Sequence, residues 1–105
     1  MVIPDSVTSI GEWAFTDCGF NGTLTIGSSV ASIGRRAFSG CSGLTGDLII
    51  PDSVTTMGDL VFSGCSLSII YCEAESKPDG WNENWNPDNI TVVWGVSKSE
   101  FDEMI

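Results

Sequence analysis

The chain has 105 residues, 42% of them apolar and 17% charged, with 12 glycines, which describes one folded, turn-rich domain and no disordered tail. Its 14 acids against 4 bases give a net charge of −10, which disfavours nucleic acid and repels an anionic membrane surface. There is no histidine, so Ser–His and Cys–His pairs and the usual general base are missing, and no apolar run reaches the roughly 18 residues a membrane-spanning helix needs.

The opening residues MVIPDSVTSIGEWAF carry no basic start, no apolar h-region and no cleavage site. A secreted parent would therefore carry its signal outside this chain. Residues 3–18, IPDSVTSIGEWAFTDC, return as IGSSVASIGRRAFSGC at 26–41 and as IPDSVTTMGDLVFSGC at 50–65. Ile3, Ile26 and Ile50 share a register with Gly11, Gly34 and Gly58, with Phe15, Phe38 and Phe62, and with Cys18, Cys41 and Cys65, in steps of 23 and 24 residues. So many positions recurring together mark a solenoid, in which no coil buries its own apolar face and neighbours must stack.

Within each coil the residues assign themselves. Leu24-Thr25-Ile26 and Leu48-Ile49-Ile50 read as short strands with alternate side chains inward. Pro4 and Pro51 end the strand and start a turn, with Gly27 in their place in the second coil. Val7, Val30 and Val54, with Ile10, Ile33 and Met57, are the next inward anchors. Gly11, Gly34 and Gly58 are expected at positive φ, where the chain turns. Phe15, Phe38 and Phe62 then place one ring per coil inside.

The pattern L-x-I-P-x-S-V-x-x-I-G-x-x-A-F-x-x-C, carried by Ile3 to Gly11 and by Ala37-Phe38-Ser39-Gly40-Cys41, resembles the BspA-type leucine-rich repeat of bacterial surface proteins. The segment IYCEAESKPDGWNENWNPDNITVVWG, residues 70–95, is similar to the terminal cap of that family. The resemblance implies a right-handed coil of stacked parallel strands and an adhesion or protein-binding role at a cell surface or in a secreted protein. The expected architecture is a short β-rich leucine-rich-repeat solenoid: about three coils over residues 1–69, an aromatic cap over 70–95, and an acidic tail or short helix over 96–105 that starts near Ser97 or Ser99. The start within a repeat points to a fragment of a larger protein.

The four cysteines invite disulfides or a metal. However, stacked side chains run parallel, while a bridge needs the Cβ atoms to converge, and a four-thiolate zinc site needs a C-x-x-C that is absent. Cys18, Cys41 and Cys65 therefore read as a column of buried thiols, joined by Cys72 in the cap. Trp81, Trp85 and Trp94, with Tyr71, offer either a sugar-stacking platform or a lid on the core, and the lid explains them better. Asp79, Asn82, Asn84, Asn86 and Asp88 lack the spacing of a calcium loop and suit turns. The scattered acids do not face one another across a cleft, as a glycosidase pair must. Asn21-Gly22-Thr23 and Asn89-Ile90-Thr91 match the N-glycosylation triplet, which arises often by chance. No cofactor and no metal are implied.

Positions that do not repeat are the informative ones. Glu12, Arg35 and Asp59 read as a ladder with a base between two acids. Trp13, Arg36 and Leu60 form the neighbouring column, and Trp and Arg are enriched at binding hot spots. Thr23, Thr25, Asp47 and Ile49 are the outward candidates on the strand face. The expected function is a non-catalytic protein-interaction or adhesion module with an unidentified protein partner. A structural spacer and a carbohydrate-binding module using the cap tryptophans are the alternatives. The open strand at Met1-Val2-Ile3 suggests pairing of two copies edge to edge.

Overall fold

A computed structural model describes residues 1–104. The chain winds through about four turns of parallel strand. In order these are β1 (Val2–Ile3), β2 (Ser9–Ile10), β3 (Thr25–Ile26), β4 (Ser32–Ile33), β5 (Thr45–Ile50), β6 (Thr56–Met57), β7 (Ser66–Cys72) and β8 (Thr91–Trp94), followed by helix α1 (Lys98–Glu103). Three parallel sheets result: β1–β3, β2–β4–β6 and β5–β7–β8. Their register is the repeat register, with Ile3 opposite Ile26, Ile10 opposite Ile33, and Ile33 opposite Met57. Matching residues one repeat apart therefore lie side by side, which turns sequence columns into spatial ones.

After the second strand of each coil the backbone makes overlapping tight turns. The N–H groups of Cys18, Cys41 and Cys65 donate to the carbonyls of Phe15, Phe38 and Phe62, three residues back. The same turns hold the phenyl rings in one internal file. Phe15 and Phe38 stack at 5.3 Å and 9°, and Phe38 and Phe62 at 5.7 Å and 7°. Phe38 and Phe62 are fully buried, each contributing about 1.5–3 kcal/mol of hydrophobic stabilisation. Phe15, in the first coil, is half-buried.

All four cysteines are free. The Cys41 thiol donates to the Phe15 carbonyl at 2.9 Å and the Cys65 thiol to the Phe38 carbonyl at 3.1 Å. Each sulfur thus ties its coil to the one before it. Burial is the main cause that pushes the Cys65 and Cys72 thiols up to about 12.

The expectation for Gly11, Gly34 and Gly58 is corrected. None has a positive φ; left-handed backbone comes two positions later, at Trp13, Arg36 and Leu60 with φ of 61°, 56° and 56°, and again at Asp17, Gly40 and Gly64. Gly34 and Gly58 are required for a different reason. A Cβ on Gly34 would lie 2.5 Å from the Glu12 backbone nitrogen, and one on Gly58 2.5 Å from that of Arg35. The preceding coil leaves no room for a side chain. A Cβ on Gly11 would meet nothing within 4 Å.

The cap is itself a further turn. Trp81 bridges Met57 in parallel, and β8 pairs with β7 so that Val92 faces Ile70 and Trp94 faces Cys72. Trp81 and Trp85 are buried, with ring centroids 5.0 Å apart, and the Trp81 indole N–H donates to the Val54 carbonyl at 3.0 Å. Tyr71 does not join them. It points to the outer face and meets Phe101 edge-on at 5.5 Å.

Candidate functional site

The outer column begins as a backbone requirement. The N–H groups of Trp13 and Arg36 donate to the carbonyls of Arg35 and Asp59 in the following coil, and that of Leu60 to Asn84, each at 3.0 Å. The left-handed conformation aims these N–H groups along the solenoid axis. For a residue with a Cβ it costs about 1–2 kcal/mol, a cost glycine avoids. Three successive coils nevertheless place a bulky side chain there.

Trp13 does not fold down over its own coil, whereas Arg36 and Leu60 are half-buried. Trp13 is 47% exposed. The Arg36 guanidinium carbon lies 5.0 Å from its ring centroid, and that of Arg35 lies at 5.8 Å. Contact of this kind is worth about 0.5–1 kcal/mol at an exposed site. Arg35 is the neighbour that sequence reasoning assigned elsewhere. It pairs with Asp59 at 2.9 Å, while among the described residues Glu12 makes no ion pair, so the expected three-membered ladder is reduced to one bridge. The adjacent tryptophan gives the Arg35 head a second neighbour that residue spacing alone does not reveal. The Arg36 Nε is closed off from solvent and has no acceptor, which costs on the order of 1–3 kcal/mol.

The strand face is changed by α1. Ser97 caps this helix: its hydroxyl accepts from the Glu100 N–H, and the Glu100 carboxylate accepts from the Ser97 N–H. Those hydrogen bonds hold the Glu100 carboxyl below its usual range. The Lys98 N–H also donates to Glu73 at 3.0 Å. The helix thus lies beside the strands, with Phe101 on Tyr71 and Lys98 on Glu73, against the first residues of the cap and away from its buried tryptophans. Ile49, expected to face outward, is 4% exposed, because Tyr71 in the next strand and the Phe101 segment close over it. Thr23 and Thr25 remain exposed and Asp47 half-exposed. With Ile49 and Phe101 they line a groove of about 390 Å³, and a second groove of about 600 Å³ continues past Thr25 toward Val2. Phe101 is the residue missed on this face. Its only sign in the sequence is a lone aromatic in an acidic tail.

The polar cap residues are engaged in turns. Asn82 accepts from the Asn84 N–H, Asn86 bonds both backbone groups of Ile90, and Asp88 accepts from the Gly64 N–H. With Trp81 and Trp85 buried, neither offers a face for a sugar to stack on. Cys65 and Cys72, raised to about 12, are thiols near neutral pH and poor nucleophiles. Among the described residues, no helix is long and apolar enough to cross a membrane.

A family model, the BspA-type leucine-rich repeat region, matches residues 1–78 in six copies. The chain belongs to the BspA-type leucine-rich repeat family. No curated protein and no solved structure matches it. Membership in the BspA-type family accords with the stacked parallel strands and points to a protein-interaction or surface repeat module. It does not separate one outer surface from another; that separation rests on the side chains described above.

Proposed function

We propose that this chain is a non-catalytic adhesion module of a larger bacterial surface protein, holding a protein partner on the column of Trp13, Arg36 and Leu60. One observation carries this reading. A left-handed backbone position repeats three times and is filled each time by a bulky side chain, Trp13 exposed and Arg36 against its ring. Glycine would suit the backbone better, so the side chains have a use beyond the fold. The groove along Thr23, Thr25 and Asp47 extends the contact surface on the strand face.

The experiment is capture of proteins exposed in the host environment on the immobilised chain, followed by identification and repetition with Trp13→Ala and Arg36→Ala. The expected result is a defined partner lost with both variants while thermal unfolding stays cooperative. A partner retained by both moves the site elsewhere. If no partner is held by the unmodified chain, the spacer reading replaces this one.

A further inference from the structure

We infer that Arg36 receives a single carboxylate, flanked by apolar groups, on the bound partner; this rests on the outer column being the contact surface. The chain has 4 bases against 14 acids. Among the described residues, Arg35 pairs with Asp59, Lys77 with Glu83 and Lys98 with Asp102. Among the described residues Arg36 is the one base of the four without an ion pair, in a molecule with an excess of carboxylates. A cation with a purely structural role in such a chain would be expected to meet one of them.

Its geometry is that of a group held ready. The backbone at φ 56° fixes where the side chain leaves the coil, and the Trp13 ring, 5.0 Å from the guanidinium carbon, limits its swing. The Nε is enclosed without an acceptor, and among the described residues neither Nη donates to a protein acceptor. A guanidinium presented by its Nη edge matches the two oxygens of a carboxylate. Trp13 and Leu60 flank it in the column, and the neighbouring Arg35, also over the Trp13 ring at 5.8 Å, is already paired with Asp59. A partner carrying a run of acids is repelled by the net charge of −10. The recognised chemistry is therefore one carboxylate between apolar side chains, supplied by an internal Asp or Glu or by a chain terminus.

The test uses the full chain, ¹⁵N-labelled, and follows the Arg36 Nε–H and Trp13 indole N–H resonances by NMR. Three probes are titrated: acetyl-Leu-Glu-Leu amide, its glutamine counterpart, and acetyl-Leu-Leu with a free C-terminus. The expected result is saturable shifts of both resonances by a carboxylate probe, with a midpoint about tenfold below that of the glutamine peptide. Which carboxylate probe acts identifies the source. Arg36→Leu should abolish the preference and Arg36→Lys should keep part of it, both with an otherwise unchanged spectrum. Equal midpoints for the Glu and Gln peptides, or no shift up to about 20 mM, overturn the inference. Should partner capture still depend on Trp13 in that case, the column stands as a contact surface and only its carboxylate chemistry falls.

Discussion

Two columns run the length of this molecule, two residues apart in each repeat, and they obey different rules. The inner one, Phe15, Phe38 and Phe62, keeps one residue type because the rings stack on one another at 5.3 and 5.7 Å. The outer one, Trp13, Arg36 and Leu60, keeps one backbone conformation and changes its side chain every time. Repetition of residue type thus reports burial. Repetition of backbone alone leaves the side chain free for other work.

The strongest way to break the contrast is Phe38→Ala. It removes the central ring of the file and should destabilise by about 3–5 kcal/mol in denaturant unfolding. A loss below about 1 kcal/mol would mean that the file carries little of the stability. Gly34→Ala comes next. The added methyl meets backbone, not a flexible side chain, so a loss of about 1–3 kcal/mol is expected. The same change at Gly11, with nothing within 4 Å, should cost far less, and near-equal losses would refute the close-approach explanation.

Alkaline titration sharpens the inner side of the comparison. Cys65 and Cys72 are raised from 9.0 to about 12 in the folded chain. Their contribution to stability is thus fully present below pH 9, where unfolded thiols are protonated too. It is lost progressively as pH rises from 9 through about 12, because only the unfolded chain ionises freely there. Denaturant midpoints measured across that range should fall, and a Cys72→Ala variant should fall less steeply.

The smallest effects belong to the outer column. Trp13→Gly relieves a left-handed side chain by about 1–2 kcal/mol and loses a cation–π contact of about 0.5–1 kcal/mol, so the melting point should stay level or rise while partner capture disappears. A large loss of stability would make Trp13 a structural residue. Asp59→Asn should change stability by about 0–1 kcal/mol, less at high salt, since Arg35 and Asp59 are both partly exposed.

Much of this was legible before any coordinates. The phenylalanine file, the stacking of Ile3 on Ile26 and of Ile10 on Ile33 and the burial of Trp81 and Trp85 follow from spacing and residue type, while of the two serines that could start a helix the fold uses Ser97. Apolar periodicity reports which side chains leave water, and that is a property of the sequence. Three features needed the fold. The glycines proved to be places of close coil approach, and the left-handed turn fell two residues later. The Glu12–Arg35–Asp59 ladder kept one pair, because Arg35 can satisfy Asp59 at 2.9 Å without reaching back to Glu12. Ile49 lost its exposure to Tyr71 and Phe101, the latter 52 residues further along the chain. Repeat spacing tells which residues share a column; which column has room, and what later chain segment lies across it, depends on distances between coils that no local pattern encodes.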